Sequence, residues 1–544
     1  MVSEQCNTNR CVCARRVLVV ENHPEDRADF VEDLQRWGYT PIVAEGRGEA
    51  LLADAQKKAH QERCHVALVD MRLRDDNDQT DQTGLELAPA LLPVRTIIVT
   101  GYGSVPVSRA AQDKYHAFKF LGKEENPETI HQVIQEAVAD LCLCTCHVEP
   151  EWWIEEQIAP CLKSRHDRPV TADEIRDLLV LLFPNASKIR LEPVNGAAPP
   201  AGVKQTVARR DSFVFRAQVD QQEPLVVKFA ATNWDDPASD KIKREVEHYK
   251  LHVERLLGGH HHARLEFQQR LWNIGAVAYS FIGSRGDAML FRHVYATETS
   301  PELILTPLAH FFGEVWQRKF QECEPLDGSL YLLYDELWDH ALTHAEPNWQ
   351  TLAAHCSFCG IDGLFLEPRR WLAQNKALSQ LPNLQQCVIH GDLHGENLFA
   401  DNDGHAWVID FERTGKGHYL TDFIELEQDI LTRLARFEPQ ELPIFYELVS
   451  ALLKPVSPQE PLEMPEAIKA HPEACKAFHV VCGLREIAAR QCDYQDNQAY
   501  YWGVFLDAIF MTTKLDAQRA DGRWERTLLL ASLLCQRLEQ WAGA

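Results

Sequence analysis

"VIHGDLHGENLFADNDGHAWVIDFE", residues 388–412, decides how this chain is read. Its apolar runs "VIHG" and "WVIDFE" are strand-like, and together they give a hairpin-like segment in otherwise helical surroundings. The loop after the first run carries Asp392, with Asn397 five positions on, and Asp410 closes the second run. By spacing alone this is a metal–carboxylate loop, since carboxylate and amide oxygens are the hard donors that Mg²⁺ takes beside nucleotide phosphates. Phosphoryl transfer asks little covalent work of a protein. It needs a carboxylate to accept the hydroxyl proton, and groups that position nucleotide, metal and acceptor while offsetting charge on the phosphoryl oxygens. Asp392, Asn397 and Asp410 supply that minimum set.

Outward from this segment the period of the sequence changes twice. From about 284 onward nearly everything else is helical in period, for example "LREIAARQ", "YYWGVFLDAIFMTTKL" and "RTLLLASLLCQRLEQW". Before it, "KIRLEPVNGAAPPAGVKQTVARRDSFVFRAQV", "EPLVVKFAA" and "LWNIGAVAYSFIG" are β-like with Gly- and Pro-rich turns, interrupted by the charged helix "SDKIKREVEHYKLHVERLL". Residues 141–185 read as a helical connector, in which Thr171 and Glu174 form a capping box. From 15 to 140, five β-branched runs alternate with amphipathic stretches, which predicts a doubly wound parallel sheet with its sites at the carboxyl ends of the strands. The expected divisions are a tail at 1–14, an α/β domain at 15–140, the connector at 141–185, a β-rich lobe at 186–283 and a helical lobe at 284–544.

The 388–412 segment resembles the protein-kinase-like superfamily in its aminoglycoside and choline phosphotransferase branch, where "HGDLHxxN" stands in place of H-R-D-x-x-x-x-N and "IDFE" in place of D-F-G. The resemblance implies a two-lobed α+β kinase-like fold with a large helical C-lobe, and ATP and Mg²⁺ as cofactors. It makes Asp392 the catalytic base, Asn397 and Asp410 metal ligands, His390 a structural prop and Asp422, in "GHYLTDFIELEQDI", a brace for the loop. It also assigns Lys228 in "EPLVVKF" to the α- and β-phosphates. The ion-pair partner of that lysine falls in "KREVEHYK", where Glu245 is preferred over Glu247. The phosphate-covering loop "PVNGAAPPAGVKQTVA" keeps Gly196, assigned to ATP binding, and Gly202, yet holds no G-x-G-x-x-G.

The first domain resembles the receiver domain of two-component response regulators through "VLVVENHPEDR", "HVALVDMRL", "TIIVTGYGS" and "FKFLGK". The resemblance implies that Asp70 is the phosphoacceptor and that Glu21 and Asn22 hold Mg²⁺ beside it. Lys123 pairs with the phosphoryl oxygens, Thr100 swings toward them and Phe120 is the aromatic switch. An aspartate accepts a phosphoryl group only where a divalent cation and a cationic side chain offset its charge. Two departures stand out: the usual acidic pair is Glu-Asn here, and Glu124 follows the lysine where proline is usual. The acidic stretch "RLRDDNDQTDQTGLE" fails as an EF-hand, lacking the sixth-position glycine and closing glutamate, and reads as a solvated loop.

Bulk properties bound the partners. With 544 residues the chain exceeds a single core. A formal charge of −25 repels phosphate backbones, no basic stripe offsets it, and no helix-turn-helix follows the receiver, so nucleic acid is not an expected partner. No apolar run approaches the ~18 residues of a membrane span and the start has no apolar h-region, so the expected location is the cytoplasm. Sixteen cysteines are then read mostly as reduced, buried thiols. The clusters Cys6, Cys11, Cys13 and Cys142, Cys144, Cys146, His147 lack the knuckle spacing of zinc sites, and His260–His262 read as a solvated loop. The combined reading is a fused signalling enzyme. An upstream sensor histidine kinase phosphorylates Asp70, the connector carries the signal, and an ATP-dependent phosphotransferase acts on a small-molecule or protein hydroxyl. The alternative is a pseudokinase or nucleotide-sensing scaffold, since such fusions resemble ternary-complex components of bacterial conflict systems.

Overall fold

A computed structural model describes residues 16–542 except 76–77, 79, 102–110, 113, 141–146, 151–152, 163–168, 194–211, 233–239, 258–262, 281–287, 327, 493 and 518–520. Two compact units divide the chain: residues 1–243 with 265–280, and residues 244–264 with 281–544.

The first unit begins with five parallel strands, β1 (Arg16–Val20), β2 (Thr40–Val43), β3 (Val66–Val69), β4 (Arg95–Thr100) and β5 (Lys119–Gly122), in the order β2-β1-β3-β4-β5. Alternation explains its two hydrophobic layers. Leu18 and Val20 pack on one face with Ala67, Val69 and Ile98, while Val17 and Val19 pack on the other with Val66, Leu68 and Ile97. Both faces are covered, so the strands are continuous apolar runs. The helix Pro24–Arg36 follows β1, with Pro at its start and Glu25 and Asp26 in its first turn, where the helix dipole favours acids. The order reverses between β1 and β3, which sets their carboxyl ends beside a crevice. This is the five-stranded receiver fold the sequence predicts.

A second sheet in the same unit runs β10-β11-β9-β8-β7-β6, with β6 (His147–Glu149), β7 (Lys188–Pro193), β8 (Ser212–Val219), β9 (Leu225–Ala231), β10 (Leu265–Leu271) and β11 (Ile274–Ser280). The four pairings among β7 to β11 are antiparallel, whereas β6 joins parallel to β7. The 141–185 segment, expected as a helical connector, therefore also supplies a strand. Val148, Trp153, Ile154 and Leu162 sink into the core of this sheet beside Ile175, Leu178 and Leu179 from the helix Ala172–Leu182. The short run "HVE" gave no strand signal because three residues are too few to show a period. Thr171 and Glu174 do form the capping box, Thr171 Oγ1 accepting from Glu174 N–H at 3.2 Å and Glu174 Oε2 from Thr171 N–H at 2.8 Å.

Within this unit the two sheets meet at the loop before β3. Trp272 Nε1–H donates to Cys64 O at 3.0 Å, and its ring lies edge-on to His65 with centroids 4.7 Å apart. Arg63 pairs with Glu174 at 2.9 Å, and the second oxygen of Glu174 accepts from Asn273 Nδ2 at 2.9 Å. None of these polar partners was legible in the sequence, because their separations run from 99 to 208 residues.

The second unit is mainly helical. Its centre is the helix Gln498–Lys514, buried nearly all round with Tyr500, Tyr501, Trp502, Phe505 and Leu506 inside. Several short strand pairs punctuate the helices. The first three strands are β12 (Met289–Leu290), β13 (Glu324–Pro325) and β14 (His355–Cys356), the last paired with β15 (Phe365–Leu366). Then come β16 (Gln385–Ile389), β17 (Leu398–Ala400), β18 (Ala406–Val408) and β19 (Gly415–His418). The hairpin-like reading of 388–412 is corrected here: β16 pairs with β13 and β19, while the hairpin is β17 with β18. The loop between β16 and β17 separates them, since Gly391 at φ 76° turns the chain away from the strand. Together these elements give the antiparallel-sheet lobe and helical lobe of a kinase-like fold. Among the described residues no helix is long and apolar enough to cross a membrane.

Candidate functional site

The segment from His390 to Asn397 is shaped by one helix. Thr421–Asp429 presents Asp422, Glu425 and Asp429 at the i, i+3, i+7 positions of a single face. Asp422 Oδ1 accepts the N–H of His390 at 2.8 Å and of Gly391 at 3.2 Å. Glu425 Oε2 accepts Leu393 N–H at 2.7 Å, and Asp429 Oδ2 accepts Gly395 N–H at 2.9 Å. Sequence reasoning picked out Asp422 alone. The acidic residues "DFIELEQD" at helical spacing were the signal for the other two.

Each carboxylate has its own electrostatic setting. Asp422 is wholly buried and paired with Lys319, and its Oδ2 also accepts Trp316 Nε1–H at 3.0 Å. Burial pushes its carboxyl up, but the Lys319 ammonium holds it below the ordinary value. Asp429 is clasped by Arg433 through two hydrogen bonds. Burial and the neighbouring carboxylates of Asp422 and Asp507 push Glu425 well above the ordinary range.

The loop's own contacts complete the cradle. His390, fully buried, has Nε2 3.0 Å from Ile409 O, which ties the start of the loop to the residue before Asp410. Ile409 N–H donates to Asn397 O at 3.0 Å, and Asn397 Nδ2 donates to Asp392 O at 2.9 Å. Asn397 is 6% exposed, whereas the Asp392 side chain keeps 39% of its surface. Burial raises the Asp392 carboxyl, yet the charges of His394 and Arg413 outweigh it and hold the group below its ordinary value. Asp410 adopts the left-handed conformation, φ 72° and ψ 67°, at the head of a short turn Phe411–Arg413. A non-glycine residue held in that region is uncommon and costs free energy, which the surrounding bonds of the loop offset. The chain thus holds Asp392, Asn397 and Asp410 on one bonded framework, and their oxygens are the hard donors that suit a divalent cation.

Lys228 and Glu245 are placed separately. Lys228 sits mid-strand in β9, opposite Val214 and Val277, and is only 1% exposed. Glu245, fully buried, lies on the helix Lys241–His248. Gly196 and Gly202, the N-terminal cysteine cluster, Cys142, Cys144, Cys146 and His260–His262 lie outside the described residues.

In the receiver sheet, Glu21 and Asn22 follow β1, Asp70 follows β3, Thr100 ends β4 and Lys123 follows β5. The Lys123 ammonium stands 2.7 Å from Glu21, 2.6 Å from Asp26 and 3.4 Å from Asp70. Asp26, in the first helical turn, is the residue that sequence reasoning missed. Burial pushes up the carboxyls of Glu21 and Asp70. Three carboxylates about one ammonium form an oxygen-rich pocket whose donor set fits a hard cation. Lys123 N–H donates to Thr100 O at 3.0 Å, and Phe120 lies half-buried on β5. Gly84 is required by a close approach: a Cβ there would lie 1.9 Å from Asp70 O. The acidic loop beyond Asp70 departs from its solvated reading at one point. Asp81 is buried and accepts the N–H groups of Arg74, Asp75 and Thr83 at 2.8, 3.0 and 2.9 Å, so it staples the loop.

Residues 341–509 match the family model described as Ternary complex associated domain 9. No curated protein matches the chain. Among solved structures it is similar to a response regulator from Burkholderia pseudomallei with a phosphorylated aspartic acid and a calcium ion, 26% identical, covering 25% of this chain and 76% of that one with a TM-score of 0.19. It is also similar to the aminoglycoside phosphotransferase APH(4)-Ia in ternary complex with AMP-PNP and hygromycin B, 13% identical over 69% of this chain and 100% of that one, TM-score 0.36. A third similarity is to the choline kinase LicA from Streptococcus pneumoniae, 12% identical over 66% and 99%, TM-score 0.29. The strand orders describe a receiver-type parallel α/β fold followed by the antiparallel sheet and mainly helical lobe of a kinase-like fold.

Proposed function

We propose that the chain is a signalling phosphotransferase in which phosphorylation of Asp70 in the receiver governs transfer of the γ-phosphoryl group of ATP to a hydroxyl acceptor. The observation that carries the reading is the framework of residues 390–397. Four of its N–H groups are fixed on three helical carboxylates while the Asp392 side chain remains open. A base held in place, partly exposed and ionised at neutral pH is what removal of a hydroxyl proton requires. Asn397 and Asp410 would hold Mg²⁺, which supplies charge neutralisation on the nucleotide phosphates. Lys228 would pair with the α- and β-phosphates and Glu245 would orient it. A buried lysine in mid-strand, flanked by valines, supports that assignment, because an ammonium group is kept out of water only where charged partners repay its desolvation.

In the receiver, Asp70 would take the phosphoryl group from a sensor histidine kinase, with Glu21 and Asn22 binding the cation and Lys123 moving onto the phosphoryl oxygens. A route for coupling is supported by the bonds before β3. Strand β3 joins Asp70 at one end to the segment Arg63–His65 at the other, where Trp272 of the kinase-like sheet and Glu174 of the helix Ala172–Leu182 are bonded. This adds a non-covalent path to the covalent one through 141–185.

A second reading is favoured by the Ternary complex associated domain match over 341–509: a nucleotide-sensing scaffold in a multi-protein assembly. Incubation with γ-labelled ATP and Mg²⁺ separates the two. Phosphotransferase action gives ATP turnover in the wild type and a loss of about 10²-fold or more in Asp392→Asn. Nucleotide binding without turnover in either protein overturns the enzymatic reading in favour of the scaffold.

A further inference from the structure

Cys323 and Cys387 face each other across a short antiparallel pair. The register sets Glu324 against Gln386 and Pro325 against Gln385, and one residue further along it Cys323 stands opposite Cys387. Both thiols are free, and each acts on the ionisation of the other. Residues directly opposed on an antiparallel pair have Cβ atoms about 4.5–5.5 Å apart, and a disulfide needs about 3.5–4.5 Å, so closure asks for a shift of about 1 Å. Cys323 is partly exposed, which admits an oxidant, whereas Cys387 is buried behind it. Lys319, one helical turn before Cys323, has its carbonyl oxygen 3.8 Å from the Cys323 sulfur, and its buried ammonium acts on the thiols of Cys323, Cys387 and Cys492. The other charged group in this cluster is Asp422, paired with Lys319.

We propose that Cys323 and Cys387 are a redox-active dithiol that a hydroperoxide closes to a disulfide at the base of the strand leading into the 390–397 loop. The Cys323 thiolate attacks one peroxide oxygen, the O–O bond breaks, and the other oxygen leaves as an alcohol, or as water when the oxidant is hydrogen peroxide, after taking a proton. Cys323 becomes a sulfenic acid. The Cys387 sulfur then attacks the Cys323 sulfur, and hydroxide leaves with the Cys387 proton as water. Two thiols and one hydroperoxide thus give one disulfide, one alcohol and one water. The electrostatics suit these roles. The facing Cys387 and the Lys319 charge draw the Cys323 thiol below its ordinary value against its burial, and Cys387 is held above the ordinary thiol value. An accessible thiol whose ionisation is favoured, beside a resolving partner, is the arrangement that oxidises selectively.

The reaction is read without reference to phosphotransfer. The full-length reduced protein is treated with one equivalent of hydrogen peroxide, alkylated and mapped by peptide mass spectrometry. The expected result is a cross-linked peptide pair joining Cys323 to Cys387, about 2 Da lighter than the reduced pair and reopened by dithiothreitol. Cys387→Ser, treated with peroxide and dimedone, is expected to carry the adduct at Cys323, and Cys323→Ser to lose the cross-link. Cys323 and Cys387 both alkylated as free thiols after peroxide treatment, or Cys323 bridged to Cys492 instead, overturns the proposal. The wild-type map needs no variant to fold.

Discussion

Lys319 and Asp422 form an ion pair in which neither side chain retains any solvent exposure. The aspartate of that pair is also the acceptor for the N–H groups of His390 and Gly391, so a buried charge sets the position of the loop that carries Asp392. Removing one partner of a buried pair leaves the other charged and unpaired, which costs about 3–5 kcal/mol. Lys319→Met is therefore expected to lower stability by that amount in denaturant titration. A midpoint equal to that of the wild type would show that the pair does not hold the loop.

Glu425 and Asp429 each accept one N–H of the loop. Glu425→Ala is expected to reduce kcat about 10–100-fold with the protein still folded, because small displacements of a reacting group are costly. Glu425→Gln, which keeps an acceptor oxygen, is expected to restore most of the rate. Steady-state kinetics with circular dichroism checks both. Equal losses for the two variants would contradict a hydrogen-bonding role.

His65 is buried against Trp272, and desolvation, with Arg16 nearby, pushes it down to about 4. A depressed histidine means that the unfolded chain binds more protons than the folded one between its ordinary value near 6.5 and about 4. The associated stability is complete above pH 6.5 and is lost as pH falls toward 4, in total about 3 kcal/mol and about 2 kcal/mol by pH 5. His65→Phe preserves the ring contact and removes the titration. Melting temperatures at pH 7 and pH 5 should converge in that variant, and an unchanged pH slope would refute the assignment.

In the receiver, Asp70→Asn is expected to abolish labelling by a small phosphodonor such as acetyl phosphate in the presence of Mg²⁺ while leaving the fold intact. Gly84→Ala is expected to fail in both respects, since its Cβ would displace the backbone of Asp70. Phosphate-affinity gels and thermal melts distinguish the two. Labelling of Asp70→Asn at the wild-type level would place the acceptor elsewhere.

Much of this chain is written in local pattern. The strands of the receiver, the lysine after β5 and the aspartate after β3 are legible because β-branched runs ending in a polar residue have one placement in a parallel sheet. The capping box at Thr171 and Glu174 is equally local. The acceptors of the loop were only half legible: the acidic spacing of 422–429 is visible, but the N–H that each carboxylate receives is not.

Sequence by itself determined which side chains have chemistry to offer and on which kind of element they sit, because propensity, period and turn chemistry act over a few residues. Tertiary structure decided the rest. The strand β6 in a segment read as helical, the pairing of β16 with β13 and β19, Asp26 beside Lys123 and Cys323 opposite Cys387 all depend on which distant segments come to lie side by side. Such juxtaposition follows from burial of apolar surface, which is non-directional and so leaves little trace in the residues it brings together.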